Sequence, residues 1–225
     1  MKNRIKKWAA YGMVACVLAS SVGCGAKKTE KKLSTEQLEA KEDSCLMAVG
    51  DQEVTVKEFL FYVYQLKSTY DASLSAEIWN YDYAEDKTIE SYTKESILEE
   101  IAQVKIIVEE AKKQKVALTE EEANEASVLA GQWLEAMPES GQSYGFTRSL
   151  VSQIYQDHAL AKKMYDVVAG TVDTEVSATE AKNDEEKEAV IKKREKEAFV
   201  EAFAGWKKGK KIVVSKPLLQ SISME

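Results

Sequence analysis

The chain has 225 residues, of which 31 are Lys or Arg and 38 are Asp or Glu, for a formal net charge of −7. A body this acidic excludes nucleic-acid binding, because neutralising phosphates needs a basic face. Two prolines, ten glycines, 44% hydrophobic and 31% charged residues exclude collagen-like, disordered and polytopic membrane architectures; they describe a helix-rich chain long enough for a core of its own.

Residues Met1–Lys7 carry Lys2, Arg4, Lys6 and Lys7 and no acid, and Trp8–Val22 is apolar. These are the n- and h-regions of an export signal, the second too short to cross a bilayer comfortably. Ser21-Val22-Gly23-Cys24 resembles a bacterial lipobox, departing from it at Ser21, where leucine is more usual. The resemblance implies cleavage before Cys24, a diacylglyceryl group on its thiol and attachment to a membrane; the alternative is an ordinary secretory signal with an incidental cysteine. Acyl chains contribute about 0.8 kcal/mol per buried methylene, so more than one holds a protein durably. Lys27, Lys28, Lys31 and Lys32 follow, placed to attract anionic headgroups. With Cys16 removed and Cys24 acylated, Cys45 is the sole thiol and no disulfide forms within one chain. Cys45 reads as a small apolar residue at a strand start.

The chain divides into a leader over 1–23, an anchor and polar tether over 24–44, a helical body over 45–216 and a tail over 217–225. Within the Lys/Glu-rich tether, Glu36–Lys41 has some helical character. Cys45–Val49 is a short strand, Gly50-Asp51 a tight turn, and Glu53-Val54 a second extended piece. Thr55-Val56-Lys57-Glu58 is a capping box, opening a helix whose stripe is Phe59, Tyr62, Val63, Leu66 and Tyr70. Trp79, Tyr81 and Tyr83 fall in an irregular stretch. A long helix runs from Ile89 to Gln114, with Ile97, Ile101, Val104, Val108 and Ala111 on one face. Thr119-Glu120-Glu121-Glu122 is a second capping box, and its helix is stopped near Met137 by Pro138. Pro138–Gly145 is a loop. Phe146 leads a helix to Gly170. Ser177-Ala178-Thr179-Glu180 is a third capping box, predicting one helix from Ala178 to Lys208, about 45 Å long at 1.5 Å per residue. Lys211–Ser215 is a strand. One strand at each end of the body predicts that the two pair and close a mainly α fold through a small two-stranded sheet.

The chain does not advertise a catalyst. Gly141-Gln142-Ser143-Tyr144-Gly145 fits the G-x-S-x-G pattern of a nucleophile elbow, which requires a strained strand-to-helix turn and a partnering histidine. Here a helix precedes it, and the sole histidine, His158, lies on a different predicted helix, where it reads as a surface or boundary residue. His158 and Cys45 are too few nitrogen and sulfur ligands for a metal site. No Walker loop, G-x-G-x-x-G, H-E-x-x-H or C-x-x-C occurs, so no cofactor is expected.

The order of motifs is similar to that of the PrsA/SurA-type extracytoplasmic foldases. Ala48-Val49-Gly50-Asp51-Gln52-Glu53-Val54-Thr55-Val56-Lys57-Glu58-Phe59 resembles their opening strand, turn and helix start. The stretch from Ile97 to Glu122 resembles their long helix and the turn after it. Val176-Ser177-Ala178-Thr179-Glu180 resembles the start that leads into their isomerase domain, and Ala198–Val214 their closing helix and strand. The resemblance implies a helical body like that of SurA or trigger factor. In full-length members a parvulin peptidylprolyl isomerase domain stands between the last two motifs; here only Ala181–Ala189 separates them, far short of the ~50 residues an independent domain needs. The expectation is therefore a membrane-anchored extracytoplasmic chaperone, suited to a Gram-positive surface, that binds unfolded, newly exported polypeptides in an apolar cleft between helices. Phe59, Tyr62, Tyr83, Trp133 and Phe146 are the candidate cleft residues. An active isomerase and an envelope scaffold or adaptor lipoprotein are the alternatives.

Overall fold

A computed structural model describes residues 43–71, 76–84, 87–177 and 179–224. The leader, Cys24 and the tether up to residue 42 lie outside these. Among the described residues the fold is mainly α, as expected, with seven helices and a small antiparallel sheet.

β1 (Cys45–Val49) and β2 (Gln52–Thr55) form a hairpin in which Val49 faces Gln52 and Ala48 faces Glu53. Gly50 turns it at φ +59°, a left-handed conformation that costs an L side chain but not glycine. A register shift between Cys45 and Met47 places both Leu46 and Met47 in the core and leaves Cys45 exposed. Cys45 therefore begins the strand but does not serve as an apolar contact. β5 (Ile212–Val214) pairs with the other edge of β1, Val49 facing Ile212 and Met47 facing Val214. The two ends of the body do close on each other, and β2 makes the sheet three-stranded rather than two.

α1 (Val56–Asp71) follows β2 directly. A short 3-10 turn (Ala76–Asn80) and a hairpin of β3 (Asp82–Ala84) and β4 (Lys87–Thr88) occupy the irregular aromatic stretch. α2 (Ile89–Lys113) starts where the Thr88 hydroxyl accepts from Ser91 N at 3.2 Å. It ends with Lys115 at φ +59° and Val116 N donating to Ala111 O at 2.8 Å. α3 (Glu120–Glu135) carries the expected capping box in full: Glu122 N donates to Thr119 Oγ1 at 3.2 Å and Thr119 N to Glu122 Oε2 at 2.6 Å.

Three local expectations are corrected. The loop after Pro138 contains a short helix, α4 (Glu139–Gln142). Helix α5 (Arg148–Ala169) starts two residues after Phe146, at a cap formed by Thr147. The Ser177–Glu180 motif opens no helix: Glu180 Oε2 accepts from Ser177 N and Oγ, while α6 (Asp184–Lys207) starts at Asn183, whose Oδ1 accepts from Glu186 N at 2.8 Å. Arg194 on α6 holds the turn down, donating to Asp173 O, Glu175 O and Glu180 Oε1. The described residues 170–177 and 179–183 lie between α5 and α6.

α5 packs against α2, α3 and α6. The polar first half of α6 stands outside, and Phe199 and Phe203 bury its second half. At the end of the described residues stands α7 (Lys216–Ser221), and beyond it Ile222 and Met224 are fully buried.

Candidate functional site

The five aromatic residues singled out from the sequence do not line one surface. Phe59 is fully enclosed by the core. Tyr62 is buried, its hydroxyl 3.0 Å from His158 Nε2. Phe146 and Trp133 meet, ring centres 5.9 Å apart, in an aromatic wall with Phe61, Tyr64 and Tyr144, where Trp133, Tyr64 and Tyr144 are half-buried. Tyr83 lies on the β3–β4 hairpin, 56% exposed, stacked at 4.1 Å on Tyr92 of α2, itself 42% exposed. Tyr70 and Tyr81 are exposed as well. Sequence reading missed Phe61, Tyr64 and Tyr92. Phe61 and Tyr64 lie one turn apart on α1, a second stripe beside the one followed. Tyr92 carries no such signal, because its partner arrives on the hairpin.

The wall depends on glycine at 141. A Cβ there would stand 2.4 Å from the Tyr64 hydroxyl and 2.7 Å from Met137 Cγ. That close approach, rather than a nucleophile elbow, accounts for the first glycine of the G-x-S-x-G pattern. Ser143 donates its hydroxyl to Ser140 O, with no strand leading into it.

The densest chemistry is buried between α1, α2 and α5. Lys105 Nζ lies 2.9 Å from Glu58 Oε1 and 2.9 Å from Asp157 Oδ2, and Gln153 Nε2 donates to Asp157 Oδ1 at 2.7 Å. Glu58 was expected to close a capping box; Thr55 Oγ1 does accept from Glu58 N at 3.1 Å, but the carboxylate points inward to Lys105 instead. Burial raises the Glu58 pKa, against the pull of Lys105. Burial works against the Lys105 ammonium too, but Glu58 and Asp157 outweigh it and raise its pKa. Beside them burial lowers the His158 pKa and raises that of Tyr62 well above the ordinary phenol. Carboxylates, lysine, tyrosine and histidine together suggest acid–base chemistry, yet their hydrogen bonds run to one another. The cluster can pin three helices together; two negative groups sharing one positive make it sensitive to protonation.

A pair of lysines holds the end of the described chain. Lys94 on α2 pairs with Glu90 at 2.6 Å and donates to the carbonyls of Leu219 and Ile222. Lys67 on α1 donates to Met224 O at 2.8 Å.

A shallow hollow of 470 Å³ lies on the outer face of α6, lined by Lys193, Lys196, Glu197, Val200, Glu201 and Ala204. Among the described residues no three His, Cys, Asp or Glu side chains are grouped to hold a metal ion, and no helix is long and apolar enough to cross a membrane.

No protein-family profile matches the chain, and no solved structure matches it. It is similar to the foldase protein PrsA of Caldanaerobacter subterraneus subsp. tengcongensis, with 27% identity over 122 residues. That stretch is 53% of this chain and 36% of the length of the relative. The relationship is distant and covers part of each protein.

Proposed function

We propose that this chain is a foldase-like chaperone that works outside the cytoplasmic membrane, held there by a lipid on Cys24, and binds unfolded, newly exported polypeptides. The observation that carries the reading is the similarity to a foldase over half of the chain, together with the lipobox-like Ser21–Cys24. Binding rests on reversible burial of apolar client segments, about 25 cal/mol per Å² removed from water, and needs neither ATP nor metal. The proposed contacts are the half-buried edge of the aromatic wall, Trp133 with Phe146 behind it, and the exposed pair Tyr83 and Tyr92. Tyrosine and tryptophan suit such work, since each offers a large apolar ring with a polar tip. Tyr62 meets Phe61 of the wall edge-on, ring centres 5.6 Å apart, and Phe59 is enclosed in the core. The acidic surface keeps the complexes soluble.

Purified residues 25–225 should slow aggregation of a chemically unfolded client in proportion to their concentration, without accelerating a proline-limited refolding phase. No effect on aggregation at several-fold excess overturns the chaperone reading, and acceleration of the slow phase replaces it with an isomerase. For the anchor, Cys24→Ser should abolish incorporation of labelled fatty acid and move the protein from the membrane fraction to the medium.

A further inference from the structure

The segment after Lys216 is held at its main chain by lysines from two helices as well as by burial of its side chains. Just past α7 the backbone is extended at Ile222 (φ −79°, ψ +129°), and over residues 222–224 burial alternates, Ile222 fully buried, Ser223 half-buried and Met224 fully buried, after a buried Ser221. That is the pattern of a strand laid against an apolar surface. Two of its main-chain carbonyls accept from lysine ammonium groups of two different helices, Ile222 O from Lys94 on α2 and Met224 O from Lys67 on α1; Lys94 also reaches Leu219 O in the last turn of α7. A lysine reads a carbonyl without reading the side chain that accompanies it, and the apolar seats beneath select only for hydrophobicity. Generic capture of main-chain oxygens with alternate apolar seats is the chemistry of extended-polypeptide recognition.

We infer that the face of α1 and α2 bearing Lys67 and Lys94 is a binding site for an extended apolar polypeptide segment, and that residues 216–224 occupy it as an internal surrogate for the client. The inference rests on the polypeptide-binding reading and names the site and its regulation. Tyr70, exposed one helical turn beyond Lys67, extends the same face of α1 outward. A tethered segment competes at an effective concentration in the millimolar range. An external segment therefore meets a site whose open fraction is small, and its apparent affinity falls by that fraction. Weak clients leave the site shut; long apolar ones displace the surrogate.

The test uses a fluorescent synthetic peptide of residues 216–225 and anisotropy. A chain lacking residues 216–225 should bind it at least about tenfold more tightly than the full chain, and Lys67→Met in the shortened chain should weaken binding by threefold or more. Equal binding by both chains, or no binding by a shortened chain with intact helical circular dichroism, overturns the inference. Should the shortened chain unfold, hydrogen exchange on the full chain decides. Residues 216–224 should exchange faster than α2, and faster still with excess unlabelled peptide, while α2 is unchanged. Exchange as slow as α2 and indifferent to peptide refutes the site. Peptide binding without protection of an unfolded client sinks the chaperone reading and leaves the site standing; the reverse pattern leaves the chaperone and removes the site.

Discussion

Replacing Lys105 with methionine removes the one positive charge between two enclosed carboxylates. The ammonium lies 2.9 Å from Glu58 and from Asp157, and each side chain is only 9% exposed. Methionine keeps most of the stem's volume, so the loss is electrostatic. Breaking a buried pair by deleting one partner costs about 3–5 kcal/mol, because the remaining charge is uncompensated. In a body of this size about 1 kcal/mol moves Tm by 2–4 °C, so the variant should melt roughly 6–20 °C lower at pH 7.5. The sign with pH follows from Glu58. Its folded pKa stands above the unfolded value of 4.5, so its protonated form contributes stability that is full below that value and is lost as pH rises through the folded pKa. Without Lys105 the folded pKa climbs further, so protonation relieves the variant more than the parent, and its deficit should shrink towards pH 5. Urea unfolding followed by far-UV circular dichroism at pH 5 and 7.5 measures both quantities. A deficit under about 0.5 kcal/mol at pH 7.5, the range of an exposed pair, would refute the account; so would a deficit that does not shrink at pH 5. Glu58→Gln, which leaves the Lys105–Asp157 pair intact, should cost far less.

Gly141→Ala drives a methyl into Tyr64 and Met137, and should cost about 1–3 kcal/mol by denaturant unfolding, part of it recovered in the double variant with Tyr64→Phe. Lys115→Gly relieves a left-handed φ of +59° at the end of α2 and should raise stability by about 0.5–1 kcal/mol. Arg194→Ala frees the turn over residues 173–180, which should become the first site of proteolytic nicking while Tm moves by less than about 3 °C. Tyr83→Ala combined with Tyr92→Ala should move the melting curve only slightly, since neither ring is buried in the core, yet weaken protection of an aggregating client by threefold or more; an unchanged protection curve removes this pair from the proposed contact surface.

Features that depend on a few neighbouring residues were legible in the sequence. The Gly50 turn, the helix Ile89–Lys113 and the Thr119–Glu122 box stand where the residues put them, because a cap or a helical stripe is completed within four positions. The pairing of the end strands was legible too, since two short apolar strands flanking helices have few other partners. Motifs with the same local form failed where a distant group competed. Glu58 has the spacing of a capping glutamate but turns inward, because Lys105 offers an ion pair inside the protein, stronger than a bond to an exposed amide. Ser177–Glu180 makes its local bonds and still starts no helix, because Arg194 holds Glu180 and the backbone before it in a turn.

The aromatic residues divide along the same line. Their number and helical spacing, written in the sequence, determined that this chain would build a mainly α body with an aromatic interior. Which rings stay accessible was decided only by the tertiary structure. Phe59 and Phe61 sit two positions apart on α1 and are both sealed, while Tyr83 is left open and stacked on a ring of another element. Burial of a ring depends on what arrives opposite it, and for this chain Tyr83 of the β3–β4 hairpin arrives on Tyr92 and Tyr144 after Pro138 arrives on Tyr64. Periodicity records the face a side chain occupies; only packing records whether that face is covered.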